Sequence, residues 1–302
     1  MTMKTPWLFL LAAVFPFGVA AEVFEADLAK DGVEKLIEPS AKAPPEVSGG
    51  LLALPTRIET RPLPVEPGKK YHLEIDAEVG GDFVVEANDR APILTLQTHR
   101  NSLTGTYEVI FLDADGQEIP ALGGANAAVR GFFLTRERKP YIAVFYAPEK
   151  AASLKVRFQS NGRPARIARL RLAEETGENT VNPNPDFRYG ELNYCGWQPQ
   201  REGRLYTRPD GKTVFNAGYG GTSPFFPLHP GVKYQVSATG EGKTINIQYF
   251  NQEGKSILSR FLIRPAPNGA ETELTPPPGT VMARVTMFGG VILEEFKVVK
   301  VE

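Results

Sequence analysis

The run Asn182-Pro-Asn-Pro-Asp-Phe187 opens the stretch that decides the fold, which passes through Gly196-Trp197 and closes on Leu228-His-Pro-Gly-Val-Lys-Tyr234. These residues are typical of a polar turn, a short strand, an aromatic-rich loop and a Pro-Gly turn that feeds a new strand. A shorter copy, Val65-Glu-Pro-Gly-Lys-Lys-Tyr71, lies earlier in the chain. Because both Pro-Gly pairs precede a tyrosine at the same spacing, the sequence predicts one β unit built twice.

Alternating strands surround both copies. From Tyr71 to Val79, apolar and polar residues alternate, which is the period of a strand with one buried and one wet face. The turns between such segments contain the Asp, Asn and Gly residues that tolerate positive φ. The pattern predicts an all-β chain of two tandem antiparallel β-sandwiches with almost no helix. Further segments of the same style follow the first one, at Tyr107–Phe111, Tyr141–Tyr146, Leu154–Phe158 and Ala168–Leu172.

The second half repeats the first in order. The segment Tyr234–Ala238 matches the Tyr71 strand, and Ile245–Ile257 matches Tyr107–Ile119 with their glycines aligned. An ordered repeat of this kind favours duplication of one sandwich. The first copy carries about two dozen extra residues between positions 80 and 105, for which we predict one added hairpin.

The chain divides into three predicted parts. Residues 1–21 combine Lys4, an apolar run and Val19-Ala-Ala21, which is the pattern of a signal peptide. The polar segment Ala173–Asn182 lacks an apolar period and is predicted to be a linker. We therefore expect β-sandwich domains at 22–175 and 176–302, the first with the inserted hairpin, in a protein that is secreted or periplasmic after leader removal.

Composition excludes several classes of partner. The 302 residues contain 34 Lys and Arg against 35 Asp and Glu, without a basic run, so nucleic acid is not an expected partner. No segment is long and apolar enough to predict a membrane span. Cys195 is the only cysteine, so no internal disulfide forms, and a small buried side chain is its favoured interpretation. The three histidines show no metal-ligand spacing.

Asp113-Ala-Asp115-Gly116 resembles the start of a calcium loop. The later ligands of such a loop are missing, and the second copy has Asn251 and Gly254 at the equivalent ends. Asn or Asp followed three residues later by Gly is typical of a tight hairpin with a glycine bulge. We therefore interpret both segments as turns.

The 182–234 stretch resembles the jelly-roll carbohydrate-binding modules attached to cellulases and xylanases. That family often shows Asn-x-x-Phe-Glu near its start, then Gly-Trp, then Pro-Gly-x-x-Tyr before a central strand, and the likeness covers Asn182 to Glu302 and more faintly the first half. The resemblance implies a jelly-roll-like fold and binding of a polysaccharide or glycan. Such modules often carry structural calcium, but Arg188 stands where the family commonly has Glu, so the sequence supports no calcium or other cofactor here.

An aromatic and polar cluster follows the Asn-Pro turn. Sugar rings pack their C–H faces on aromatic side chains while their hydroxyls need polar neighbours, and the second domain offers that mixture whereas the segment before Pro67 has no aromatic residue. Trp197 and several tyrosines have an alternative interpretation as core residues. The predicted ligand-binding residues are Tyr194, Trp197, Gln198, Arg201, Tyr206, Asn216 and Tyr219.

No catalytic pattern accompanies this cluster. A glycosidase needs two carboxyl groups across a cleft, and nothing in the sequence pairs Asp186, Glu191, Glu202 or Asp210. Nucleophile-elbow, zinc-protease and phosphate-loop motifs are absent from the sequence. The sequence thus favours a non-catalytic binding protein. The alternative is a structural or adhesive sandwich that binds another protein in the envelope or extracellular space.

Overall fold

A computed structural model describes residues 21–38, 47–54, 57–79, 105–120, 129–133, 135–160, 165–176, 179–201 and 203–301. The predicted leader, apart from Ala21, and the predicted hairpin in the 80–105 region lie outside these ranges. Within these ranges, helix is limited to α1 (Leu28–Asp31), where the N–H of Ala29 donates to the Asp27 carboxylate, and a 3₁₀ turn at Val33–Lys35. All other regular structure of the described residues is β, as predicted.

The first half forms two antiparallel sheets. Their strands are β1 (Ala21–Asp27), β2 (Val47–Ser48), β3 (Leu51–Ala53), β4 (Ile58–Glu59), β5 (Leu63–Pro64), β6 (Lys70–Val79), β7 (Gly105–Leu112), β8 (Val129–Phe133), β9 (Lys139–Tyr146), β10 (Ser153–Ser160) and β11 (Ala165–Glu174). Sheet 1 has the order β2-β3-β11-β6-β9 with β1 on β11, and sheet 2 has the order β4-β10-β7-β8 with β5 on β10.

The second half also forms two antiparallel sheets. Their strands are β12 (Gln198–Pro199), β13 (Arg204–Thr207), β14 (Thr213–Asn216), β15 (Gly220–Thr222), β16 (Phe226–Pro227), β17 (Tyr234–Glu241), β18 (Thr244–Phe250), β19 (Ser256–Ile263), β20 (Ala270–Leu274), β21 (Met282–Phe288) and β22 (Ile292–Lys300). Sheet 3 has the order β12-β15-β21-β18-β19 with β16 on β21, and sheet 4 has the order β13-β14-β22-β17-β20.

Each pair of sheets encloses one apolar core. In the first half, residues of β6 and β11 from sheet 1 pack with residues of β7 and β10 from sheet 2. In the second half, β17 and β22 from sheet 4 pack with β18 and β21 from sheet 3. Alternating residues of β6, β17, β18 and β21 supply much of the buried faces, and the prediction of two tandem antiparallel sandwiches is confirmed. That the boundary between two independently folding domains lies within 173–182 stays a prediction.

The two halves share one topology. The order β11-β6-β9 corresponds to β22-β17-β20, and β10-β7-β8 corresponds to β21-β18-β19. A matching hydrogen bond explains the repeated Pro-Gly-x-x-Tyr pattern. The Tyr71 hydroxyl accepts the N–H of Glu66 at 2.7 Å, and the Tyr234 hydroxyl accepts the N–H of His229 at 3.0 Å. Each tyrosine ring lies in its core while its hydroxyl anchors the turn that leads into its own strand.

The two Asp/Asn-to-Gly segments are hairpin turns, as interpreted from sequence. The Asp113 carboxylate accepts the N–H groups of Asp115 and Gln117, and the Asn251 side-chain oxygen accepts the N–H of Lys255. The glycine of each turn has positive φ. The side chain that resembled a calcium ligand is therefore used to close the turn.

The segment from Thr180 to Trp197 joins the second half to the first. Ile142 of the edge strand β9 donates its N–H to the Asn193 side-chain oxygen at 2.7 Å. Its carbonyl accepts from the Cys195 thiol at 3.5 Å. Leu192 packs against the first core, and burial raises the pKa of the Cys195 thiol. Cys195 is thus the buried side chain expected from the sequence, and it lies at the junction of the two halves.

Candidate functional site

Trp197 belongs to the core of the second half and not to its surface. Its side chain is 1% exposed, and its ring centroid lies 5.1 Å from that of Phe187 and 5.2 Å from that of Phe215. The indole N–H donates to the Pro183 carbonyl at 3.2 Å, so its polar atom is satisfied internally. The assignment of Trp197 to the ligand site is corrected, because a ring enclosed in this way cannot stack on a ligand.

Three other predicted residues lie away from the sheet face described below. Tyr194 is half-buried against the second core, and its hydroxyl accepts the N–H of Leu205 at 3.4 Å. Tyr206 lies on β13 and Asn216 on β14, two strands of sheet 4. The Asn216 side-chain oxygen caps the N–H of Gly218 at 2.7 Å, which is a local turn contact.

Arg201 and Tyr219 meet at one corner of the second half. The Tyr219 side chain is 70% exposed, and the Arg201 guanidinium carbon lies 4.5 Å from its ring centroid. Their two loops touch through the backbone: a Cβ on Gly218 would lie 2.3 Å from the Gln200 carbonyl oxygen and the Gly203 nitrogen. Only glycine permits that approach, which explains the glycine beside Tyr219. Arg201 itself has a φ of 50°, a rare and costly conformation for a non-glycine residue.

The outer face of sheet 3 carries a continuous polar row. Strand pairing places Gln198 opposite Thr222, Thr222 opposite Thr286, Thr286 opposite Asn246, and Asn246 opposite Phe261. The neighbours of the first four residues along their strands are buried, as is Leu262 beside Phe261, so these five side chains share the opposite face. Phe261 is 61% exposed. Of the seven predicted site residues, Gln198 alone is a member of this row.

A second row borders the first on the same face. Phe288 pairs with Thr244 on one side and with Gly220 on the other, and its side chain is 52% exposed. A Cβ on Gly220 would lie 3.1 Å from the side-chain oxygen of Gln200, so that amide reaches over the same face. The outer face of sheet 3 therefore has phenylalanine rings on two strands, with hydrogen-bonding groups between them.

Arg284 lies in the next row of this face. It pairs with Gln248 on β18, and its Nε donates to the Gln248 side-chain oxygen at 3.1 Å. Its guanidinium carbon lies 5.3 Å from the Phe225 ring centroid and 5.5 Å from that of Phe250. Burial lowers the pKa of Arg284, although a guanidinium remains charged at neutral pH.

In the first half, the row equivalent to Thr222–Thr286–Asn246–Phe261 consists of charged side chains that pair with one another. There, Arg157 of β10 pairs with Glu59 and Glu108, and Arg130 pairs with Glu108 on the far side. Arg157 forms salt bridges of 2.7 Å to Glu59, 3.7 Å to Glu108 and 2.9 Å to Glu118. The second half has Thr222, Thr286, Asn246 and Phe261 at the row positions of Glu59, Arg157, Glu108 and Arg130. This row is an ion-pair network in the first copy and carries no charged side chain in the second.

Sequence reasoning missed Phe261 and Phe288. The apolar residues of β19 do not alternate with its polar ones, so the period does not reveal which of them faces water. A usable signal existed in β21, where Ala283, Val285 and Met287 define the buried face and leave Phe288 on the other one.

The candidate carboxylates make only local contacts. Asp186 pairs with Arg188 at 2.7 Å, Asp210 accepts a backbone N–H two residues further on, and Glu191 is exposed. Glu202 lies outside the described residues. Within the described ranges, no cluster of three His, Cys, Asp or Glu side chains is arranged to hold a metal ion. None of the helices described there is long and apolar enough to cross a membrane.

Neither a protein-family profile nor a curated protein matches the chain. Solved structures similar to it include the CBM22-1–CBM22-2 tandem domain of Paenibacillus barcinonensis Xyn10C, at 9% identity and a TM-score of 0.30, over 93% of this chain and 98% of that one. The CBM22-1 xylan-binding domain of the same protein is 10% identical, with a TM-score of 0.29, over 39% and 92%. Allantoicase from Saccharomyces cerevisiae is 12% identical, with a TM-score of 0.26, over 94% and 90%.

Carbohydrate-binding modules are therefore among the structures to which the chain is similar, in agreement with the resemblance seen in the sequence.

Proposed function

We propose that this chain is an exported, non-catalytic protein that binds a polysaccharide on the outer face of sheet 3. The observation that supports the proposal is the difference between the two copies. The row Glu59–Arg157–Glu108–Arg130 satisfies its own charges, whereas the matching row of the second half leaves hydroxyl and amide groups without such partners across the face.

The chemistry of this face suits sugars. Phe261 and Phe288 are more than half exposed and offer flat apolar rings for the C–H faces of pyranoses. Thr286, Asn246 and Gln198 offer donors and acceptors for hydroxyl groups between them. Large exposed apolar side chains on a soluble protein mark interaction sites when they occur together. Arg201 and Tyr219 extend the proposed surface at its corner.

Affinity gel electrophoresis of the full chain against a panel of soluble polysaccharides tests this proposal. We expect weak retardation, with a Kd on the order of micromolar to millimolar. Phe261→Ala and Phe288→Ala should each weaken binding roughly fivefold, because an aromatic contact is worth about 1 kcal/mol.

Tyr206→Ala is the matched control, since it removes an aromatic ring from sheet 4 without touching sheet 3. Loss of binding in Tyr206→Ala with full binding in Phe261→Ala would restore the sequence-based cluster and refute the sheet face. Unchanged melting temperatures must accompany each variant.

A protein partner is the second candidate, and one observation favours it. Ile257 and Leu258 of the edge strand β19 are 40% and 41% exposed, beside Phe261. An exposed apolar edge strand is suited to pairing with another chain. Absence of retardation by every polysaccharide in the panel would favour this alternative.

A further inference from the structure

Arg284 has unused hydrogen-bonding capacity. A guanidinium carries five N–H donors, and here Nε donates to Gln248. Among the residues that the structure describes, none accepts from the remaining four N–H groups and no carboxylate forms a salt bridge with Arg284. Charged side chains that are partly removed from water are ordinarily paired. The two phenylalanine rings that flank the guanidinium fix its position on the face, so its free N–H groups form a preorganised donor pair.

Charge is distributed unequally between the two sheets of the second half. The six strands of sheet 3 contain two arginines, Arg260 and Arg284, and no Asp or Glu. The five strands of sheet 4 contain five glutamates, at 241, 271, 273, 294 and 295, against three basic residues. The face that bears the open polar row is thus the one without carboxylates that would repel an anion.

We infer that the polysaccharide bound by sheet 3 carries uronate residues, and that Arg284 receives their carboxylates. This inference rests on the proposed function and names its ligand class. The two terminal nitrogens of the planar guanidinium form one N–H edge that matches a carboxylate in a bidentate arrangement, which a neutral sugar hydroxyl cannot use. Neighbouring sugar rings of the same polymer would lie over the polar row, where Thr286 and Asn246 face their hydroxyls.

Binding to polygalacturonate and alginate, each beside its carboxyl-reduced form, tests the ligand class. Reduction converts each carboxylate to a hydroxymethyl group and keeps the sugar ring, so the two polymers differ only in this substituent. Wild-type full-length protein should be retarded by at least one uronate polymer and much less by its reduced form. Retardation by the uronate polymer should decrease as sodium chloride screens the charge.

Arg284→Gln should weaken binding to the uronate polymer about tenfold to a hundredfold, the range expected for loss of a hydrogen-bonded charge pair. Arg284→Lys keeps the charge but not the bidentate geometry, and should lie between wild type and Arg284→Gln. Arg204→Gln is the matched control: its guanidinium carbon also lies over a ring, 5.5 Å from the Tyr206 centroid, but on sheet 4. It should bind as wild type does, and all three variants should keep the wild-type melting temperature within a few degrees.

The outcomes separate this inference from the proposed function. Binding of neutral or reduced polysaccharides that Arg284→Gln leaves intact would overturn the uronate inference and keep the sugar-binding proposal. Equal retardation by dextran sulfate and the uronate polymers would also overturn it, because it would indicate simple ion exchange. If no polysaccharide of either kind retards the wild-type protein, both proposals fail. An Arg284→Gln protein that unfolds would leave the comparison of native and carboxyl-reduced polymers on wild type to decide.

Discussion

Individual residues of the second half show how burial overrides chemical suitability. Trp197 has the side chain best suited to stacking on a sugar, yet it lies among Phe187, Phe215 and Phe296 in the core. Phe187 reaches that core from a backbone with a φ of 54°, so the local fold itself is strained to complete the aromatic cluster. The fold uses this tryptophan for stability.

Trp197→Ala should therefore destabilise the protein by about 3–5 kcal/mol, the cost of emptying a large buried aromatic site. Trp197→Phe should lower the free energy of unfolding much less, since it keeps most of the buried apolar area and loses only part of the ring and the hydrogen bond to Pro183. Chemical denaturation measures both values. The emission of Trp197 in the wild type should not shift when a polysaccharide binds, and a clear shift would contradict its placement.

His72 should make stability depend on pH. Burial, with a smaller contribution from Arg171, lowers its pKa to about 4, below the unfolded value of about 6.5. The folded state therefore disfavours the protonated form: stability from this group is complete above pH 6.5 and decreases as pH falls towards 4, by up to about 3 kcal/mol. Urea unfolding at a series of pH values should show the loss.

His72→Gln should flatten that pH dependence between pH 6.5 and 4. An unchanged slope in this variant would show that His72 does not cause the dependence.

At the scale of strands, the two copies differ in what faces water and hardly at all in what faces the core. In both β7 and β18, every second side chain faces the core. Both strands lie between equivalent strands of their sheets, and both end in an Asp/Asn-to-Gly turn. These strands could be predicted because burial on one face enforces the period. The open binding face could not be predicted in the same way. An alternation of period two shows that a strand has two different faces, but it does not show which side chains of neighbouring strands lie beside them.

Transfer of the first copy's ion pair into the second should close the proposed binding face. Asn246→Glu combined with Thr286→Arg places an acid and a base at directly paired positions, as Glu108 and Arg157 are in the first half. We expect polysaccharide binding to fall at least tenfold, while stability changes by less than about 1 kcal/mol, since partly exposed ion pairs contribute little. Affinity electrophoresis and denaturation measure the two effects.

Asn246→Gln is the companion variant, because it keeps an amide and adds no charge. Full binding by the double variant would show that the row does not contact the polysaccharide.

At the scale of the molecule, the duplicated order of the sequence predicts two sandwiches but not how closely they are joined. The polar composition of 173–182 predicts a linker; in the structure β11 continues to Glu174, and Thr180 forms an isolated bridge to Val299. The contacts of Asn193 and Cys195 with Ile142 could not be foreseen, because they join positions 51 and 53 residues apart through a segment without regular structure.

Limited proteolysis within residues 175–179 should therefore give two fragments that remain associated. Asn193 and Leu192 hold the second half against the first, so the nicked protein should elute from gel filtration as one species. The double variant Asn193→Ala, Leu192→Ala should release the fragments separately. Separate elution of the nicked wild type would mean that these contacts do not hold the halves together.

The hydrogen bond between Asn193 and Ile142 also has a consequence for the protein during its synthesis. Strand β9 lies at the edge of sheet 1, and a bare edge is a template onto which a foreign strand can add. The asparagine that occupies this edge follows 51 residues later in the chain. During translation, the first half thus exposes an unpaired strand edge until the segment with Asn193 leaves the ribosome. A ribosome that stalled before that point would leave a truncated product prone to self-aggregation.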